Sequence, residues 1–176
     1  MLSKLIDLYS SASSWVNVAL GSIALLMLRL TVAPVFLNSG LTKWDGFLKF
    51  NVEKYDLFLY EFFCPDPVRP GALLLCDSET LDYAEGSSII GVIEAAAVMA
   101  GIMEVVLPIL LIVGLFSRFA ALGLLGMTIF IQLAVFPTMD HWINPASWWA
   151  VTLLAILAMG PGAFSLDRLF KLDGRK

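Results

Sequence analysis

The chain has 176 residues and a formal net charge of −4; 59% of its residues are hydrophobic and only 15% are charged. A soluble domain of this length is usually about half apolar and about a quarter charged, so the composition excludes an ordinary soluble protein. The length leaves no room for an additional soluble enzyme domain. We therefore predict an all-α integral membrane protein in which residues 1–176 form a single membrane domain.

Four apolar runs divide the chain. Crossing a bilayer takes roughly 20 apolar residues in a helix, and the runs approach or exceed that length. The predicted spans cover about 18–37, 88–114, 116–136 and 145–160. The connection 38–87 is the only sizeable non-spanning segment. The predicted architecture is a four-helix bundle with a long extracytoplasmic loop between helices 1 and 2.

Ionisable side chains lie inside the first two predicted spans, with Arg29 in the first and both Glu94 and Glu104 in the second. Such groups are costly at membrane depth and usually face protein or water. Helical spacing places Glu94 near the small-residue face that carries Glu104. Counting from the inner ends of their helices puts Arg29 about 16 Å deep and Glu104 about 15 Å deep. We therefore predict a contact between Arg29 and Glu104 near mid-bilayer; the alternative is an inert buried pair that only fixes helix register.

The end of the first span carries Lys43 and Trp44. These residue types are ordinary anchors at the membrane interface, and that interpretation is favoured here. The alternative is a polar cluster that lines the mouth of a cavity above Arg29. The following residues 45–63 mix aromatic and charged side chains, which indicates an interfacial helix or a segment folded over the bundle.

Cys64 and Cys76 are the only two cysteines, and they bracket Pro65, Pro67 and Pro70 in the outer loop. If this loop faces an oxidising compartment, a disulfide that closes it is the natural interpretation. Buried free thiols are the alternative. Two thiols alone make an incomplete metal site, so metal binding here is disfavoured.

Basic residues set the predicted orientation. They flank the spans on one side at Lys4, Arg118, Arg168, Lys171, Arg175 and Lys176. The positive-inside rule then places both termini in the cytoplasm and the long loop outside. For a bacterial inner membrane, the loop would face the periplasm, in agreement with a disulfide.

The turn between the third and fourth predicted spans contains the only histidine, His141, close to Met139. A structural role is favoured for this histidine; a weak copper site with Met139 is the sharper alternative. Gln132 is predicted to make an interhelical hydrogen bond. No dinucleotide fingerprint, phosphate-binding loop, metal cluster or nucleic-acid-binding pattern is present, so no motif encodes a cofactor.

Three ordered stretches of the chain resemble the DoxX/DoxD-like family of small four-helix membrane proteins. The matching positions are Arg29, Gly40 and Lys43, then Glu104, Pro108, Gly114 and Arg118, and finally Gly160, Gly162, Ser165 and Asp167. The resemblance implies a four-helix bundle. Some members are membrane subunits of oxidoreductases, including thiosulfate:quinone oxidoreductase and a redox-defence complex with superoxide dismutase. Others resemble companions of metal-stress or peptide-modification operons.

The resemblance makes Arg29, Lys43 and Glu104, with Glu94 nearby, candidates for a quinone or proton-handling site. The first functional hypothesis is a redox membrane subunit that binds quinone and works with a soluble or membrane protein partner. The second is a non-catalytic scaffold, and the third is a small-solute or metal transporter. Membrane lipid is an expected contact, and a second copy of the chain is a further candidate partner. The substrate, the reaction and any catalytic residue stay open.

Overall fold

The computed structural model describes residues 2–173 and is almost entirely helical. Arg175 and Lys176, which entered the predicted orientation, lie outside the described residues. The helices are α1 Leu2–Leu41, α2 Glu53–Asp56, α3 Ser88–Val113, α4 Ser117–Phe130, α5 Met139–His141, α6 Ser147–Met159 and α7 Leu166–Leu169. The two strands are β1 Trp44–Gly46 and β2 Lys49–Phe50. Three π-helical turns complete the secondary structure at Leu57–Phe62, Ile131–Val135 and Trp142–Ala146.

Within residues 2–173, four stretches of helix are long and apolar enough to cross a membrane. They are Leu20–Leu41, Ser88–Val113, Ser117–Val135 and Met139–Met159. The predicted all-α membrane bundle is confirmed. The fourth stretch begins earlier than the predicted residue 145, because helical turns continue through a kink at Asn144, whose backbone is not helical.

The bundle core forms where α1 packs along α3, α3 along α4, and α4 along α6. Its buried side chains are mostly aliphatic and include Val32, Phe36, Leu107, Leu111, Leu124, Leu153 and Ile156. Two glycines permit close approaches between neighbouring helices. A Cβ at Gly40 would lie 2.7 Å from the carbonyl carbon of Glu104, and one at Gly123 would lie 2.7 Å from a methyl of Leu107. Small residues therefore determine how α1 and α4 seat against α3.

The segment after α1 folds back onto the bundle, which is the second of the two predicted alternatives. β1 and β2 form an antiparallel hairpin. α2 and the π-helical turn after it then run beside the N-terminal half of α3. Phe58, Leu59 and Phe63 pack there against Ile93 and Ala97 of α3 in a second buried cluster. The loop thus supplies a wall of the bundle.

The predicted disulfide between Cys64 and Cys76 is confirmed, with 5.6 Å between the two Cα atoms. The loop that it closes is hydrogen-bonded to the π-helical turn Ile131–Val135, which continues α4. The Leu73 N–H donates to the Ala134 carbonyl at 2.7 Å, and the Arg69 guanidinium donates to the Val135 carbonyl at 3.2 Å. The disulfide therefore links the aromatic segment before it to α4.

The chain after α6 closes the end of the bundle at which α3 stops and α4 begins, which is called the inner end because the predicted orientation places it on the cytoplasmic side. The Asp167 carboxylate is buried and accepts hydrogen bonds from the Phe116 and Ser117 N–H groups at 2.7 and 2.8 Å. It thereby satisfies donors that the first turn of α4 leaves unpaired. Gly114 ends α3 with a φ of +73°, and a Cβ there would lie 2.2 Å from the Arg29 Nη1 atom. Conformation and space both require glycine at this position.

Candidate functional site

Arg29 is fully buried at the inner end of α3. Its Nη1 atom donates to the Leu111 carbonyl at 3.2 Å and to the Ile112 carbonyl at 3.4 Å, and its Nη2 atom donates to the Phe164 carbonyl. The final carbonyls of a helix lack intrahelical partners and attract a cation. Arg29 therefore joins α1, the end of α3 and the closing segment.

The predicted contact between Arg29 and Glu104 is wrong. Leu111 lies seven residues beyond Glu104, about 10 Å along the helix axis. The residue of α1 that lies against Glu104 is Gly40. The prediction assumed that the first two spans begin and end at the same membrane depth. In the structure, α1 packs along α3 so that Arg29 reaches the C-terminal end of α3.

Glu104 is paired with Lys43. The Lys43 Nζ atom donates to the Glu104 Oε2 atom and, at 3.2 Å, to the Ser39 hydroxyl. Both charged side chains are buried. The favoured interpretation of Lys43 as an interface anchor is therefore corrected, because this lysine is the buried counter-ion of an intramembrane carboxylate.

The turn after α1 aims Lys43 at α3. The Lys43 N–H donates to the Gly40 carbonyl at 3.0 Å, which reverses the chain immediately after the helix. The Trp44 indole N–H then donates to the Gly101 carbonyl at 3.4 Å. The close contact at Gly40 and this indole hydrogen bond hold the lysine against one turn of α3.

A cavity of about 360 Å³ lies between α3, α4 and the π-helical turn Leu57–Phe62. Its lining residues are Phe58, Phe62, Phe63, Ala96, Ala100, Glu104, Gly123, Gly126, Met127, Phe130, Ile131 and Val135. The volume falls at the lower end of the range for small-molecule sites. Small residues on α3 and α4 create the space, and three phenylalanine rings cover it. Within the described part of the chain, Glu104 is the charged residue of this lining.

The Glu104 carboxylate offers one oxygen to this cavity. Its Oε2 atom is bonded to Lys43, whereas its Oε1 atom makes no hydrogen bond to any described residue. The side chain nevertheless lines the cavity. An apolar surrounding strengthens electrostatic contacts, so this oxygen can accept a hydrogen bond or a proton from a bound molecule.

Glu94 does not join the site. It is half-buried, lies about 15 Å along α3 from Glu104 and is absent from the cavity lining. It makes no hydrogen bond or ion pair with the described residues. Of the four candidate polar residues, the structure brings Lys43 and Glu104 together and leaves Arg29 and Glu94 apart.

His141 secures the outer turn onto α4. Its Nδ1 atom lies 2.6 Å from the Gln132 Oε1 atom, and its ring stacks on Phe136 with centroids 5.0 Å apart. Gln132 also donates to the Thr138 carbonyl at 3.0 Å. Met139, the other weak metal candidate, is exposed. Residues 2–173 contain no group of three or more His, Cys, Asp or Glu side chains arranged to hold a metal ion.

Sequence reasoning missed two parts of this arrangement. The first is the aromatic cover formed by Phe58, Phe62 and Phe63, whose loop gave no spanning signal. The second is Asp167, which caps α4 from a distance of 50 residues along the chain. Gly123 and Gly126 offered a signal that was present in the sequence, since small residues in a span let neighbouring helices approach closely.

Comparisons with known proteins match the chain to a family. The DoxX family model matches residues 24–137. A protein of Haemophilus influenzae, described as uncharacterized, is 31% identical over 157 residues, which make up 85% of this chain and 84% of that protein. No solved structure matches the chain significantly.

Proposed function

The chain belongs to the DoxX family of membrane proteins, and on that basis we propose that it is a quinone-linked membrane subunit of an oxidoreductase or redox-stress system. The family is associated with membrane oxidoreductase-related roles. The observation that carries the proposal is the apolar cavity over Glu104. Glu104 lines this apolar, aromatic cavity and leaves its Oε1 atom without a hydrogen bond to the described residues.

The lining fits a quinone headgroup. Phe58, Phe62 and Phe63 offer ring faces and edges for a flat ring to pack against. The Glu104 Oε1 atom can accept a hydrogen bond from a hydroxyl of the reduced form. Lys43 places its ammonium beside that carboxylate as its counter-ion. When bound, a quinone would supply the two-electron redox chemistry that no motif of the chain encodes.

The walls of the cavity suggest how such a molecule arrives. Ala96 of α3 and both Gly126 and Phe130 of α4 line the cavity and are also exposed on the surface of the bundle. In a spanning bundle that surface meets lipid, so the opening between α3 and α4 suits a molecule dissolved in the bilayer. A water-soluble substrate would have to cross hydrocarbon to reach Glu104.

The proposal includes a partner and an orientation. A soluble or membrane protein would carry the electrons to or from the site. A bacterial inner membrane with both termini in the cytoplasm is supported by the basic inner segments and by the disulfide in the outer loop. Labelling of a Ser78→Cys variant in intact cells with a membrane-impermeant maleimide tests the orientation, because Ser78 is exposed in that loop.

Quinone retention tests the proposed function. Wild type, Glu104→Gln, Gly126→Phe and Glu94→Gln are purified gently, and extracted quinones are quantified by mass spectrometry. Wild type and Glu94→Gln should retain about one quinone per chain, whereas the two cavity variants should lose most of it. Glu94→Gln is the matched control, since it changes a carboxylate of the same helix outside the cavity.

Two results would overturn the quinone site. One is wild-type protein that retains no quinone, which would leave the non-catalytic scaffold as the better account. The other is equal retention in all four proteins, which would place any bound quinone elsewhere. The scaffold is favoured by the inner closure, where Arg29 and Asp167 only join helix ends.

A further inference from the structure

The hairpin that follows α1 exposes its most apolar side chains. Trp44 pairs with Phe50 and Gly46 with Lys49, which leaves Phe47 and Leu48 at the tip. These two side chains are 94% and 77% exposed. Single exposed apolar residues are normal on proteins, but a large aromatic and a leucine together at a hairpin tip beside a membrane span indicate a surface for lipid.

A groove separates this hairpin from α3. It has a volume of about 310 Å³. Its lining residues are Leu41, Trp44, Gly46, Phe47 and Leu48 on one side and Ile102, Val105 and Val106 on the other. None of them is charged. The groove and the cavity over Glu104 lie on different faces of α3. Helical spacing places the cavity residues on one side of α3 and the groove residues, Ile102, Val105 and Val106, on another.

The α3 wall of the groove belongs to the lipid-facing surface of the bundle. It lies within the apolar stretch Ser88–Val113, and Ile102 and Val106 are 40% and 47% exposed. α1 ends at Leu41, so the groove begins where the first helix stops. Whatever fills it is therefore continuous with the hydrocarbon around α3.

We propose that this groove binds an acyl chain of an outer-leaflet phospholipid, with the hairpin tip inserted beside it. The groove has a volume of about 310 Å³ and a lining without charge, which suits an acyl chain, a thin apolar rod. Lys49 is exposed at the base of the tip and has no partner among the described residues, which suits a phosphate headgroup. This site does not depend on the proposed quinone function, but its assignment to the outer leaflet rests on the proposed orientation.

Single-cysteine labelling tests the insertion of the tip. Both native cysteines are in the disulfide, so an added cysteine is the only free thiol. Phe47→Cys, Ile109→Cys and Ser78→Cys are labelled with an environment-sensitive fluorophore, one protein per nanodisc, in phospholipids brominated on their acyl chains. The label at 47 should be quenched about as strongly as the one at 109, which lies on the lipid face of α3. Quenching no greater than at Ser78, in the exposed loop, would overturn the insertion.

Lipid counting tests the groove itself. Val105→Phe fills the groove, whereas Val113→Phe adds the same bulk at an exposed α3 position outside it. After matched delipidation, native mass spectrometry should find one fewer phospholipid on Val105→Phe than on wild type and Val113→Phe. Equal phospholipid counts would overturn the site. In nanodiscs that hold two copies of the chain, disulfide cross-linking between Phe47→Cys copies together with loss of the bound phospholipid would overturn the lipid site in favour of a second chain.

Discussion

Removal of the Lys43 ammonium should leave the Glu104 carboxylate buried without its counter-ion. Both side chains are almost fully buried, so water cannot replace the lost partner. Breaking a buried ion pair on one side costs about 3–5 kcal/mol, most of it from the stranded charge. Lys43→Met keeps the length of the side chain and removes only its charge and donors. For a chain of this size the loss corresponds to roughly 6–20 °C in melting temperature.

The double variant Lys43→Met/Glu104→Met separates the charge from the packing. Replacing both partners by apolar groups of similar volume is often neutral or stabilising, so the double variant should melt well above Lys43→Met. Lys171→Met is the control, because this lysine is exposed outside both proposed sites and its loss should change stability by less than about 0.5 kcal/mol. Melting is followed by tryptophan fluorescence in detergent and in nanodiscs.

The coupling between the two single changes decides this prediction. If Glu104→Met and Lys43→Met each destabilise the protein and their effects simply add in the double variant, the two side chains do not form a buried pair. If Lys43→Met behaves like Lys171→Met, then Lys43 is an interface anchor and the buried pair with Glu104 does not exist.

Three further predictions concern the outer loop and the inner closure. Cys64→Ser should cost roughly 3 kcal/mol by freeing the outer loop and should lower quinone retention, because the disulfide links the aromatic cover to α4; the same melting and extraction assays check it. Gly114→Ala should cost at least about 2 kcal/mol, because its backbone is left-handed and its Cβ would overlap Arg29; retained melting temperature would contradict this. Hydrogen bonds from backbone N–H groups, that of Thr80 foremost, lower the pKa of the Asp77 carboxyl below its usual 3.8. The ionised carboxylate therefore stabilises the turn above pH 3.8, and this stabilisation is lost as the pH falls through the lowered pKa. Asp77→Asn should abolish this pH dependence in a proteolysis assay.

The spans and the disulfide could be predicted because their signals are local. An apolar run of sufficient length needs no knowledge of its neighbours, since the bilayer sets the requirement. The two cysteines had only each other as partners. The small residues on α3 likewise indicated a packed face, and the structure places Gly101 beside Phe50 and Trp44 there.

The pairing of the charges could not be predicted because it depends on how far α1 slides along α3. The depth count assigned Arg29 to Glu104, but α1 is shifted so that Arg29 reaches Leu111, seven residues further along α3, and Lys43 lies at Glu104 instead. That shift is set by Gly40, which lets the two backbones touch at Glu104. The search for a carboxylate partner of Arg29 also neglected the free carbonyls at the end of α3, which a buried guanidinium can satisfy.

The cavity itself follows from contacts far apart in sequence. Its cover comes from Phe58, Phe62 and Phe63, and one of its walls comes from α4 more than 60 residues later. Aromatic residues mixed with charges indicated only an interfacial segment. Their position above Glu104 required the disulfide loop and its hydrogen bonds to the end of α4.

Photolabelling with an azido-quinone is the most direct test of the central claim, that a quinone binds over Glu104. The wild-type protein is labelled in nanodiscs with and without an excess of unlabelled quinone, and adducts are located by peptide mass spectrometry. We expect adducts on the cavity wall at Met127, Phe130 or Phe62, and we expect excess unlabelled quinone to prevent their formation. Adducts found only on lipid-facing residues such as Met27, and unaffected by the competitor, would contradict it.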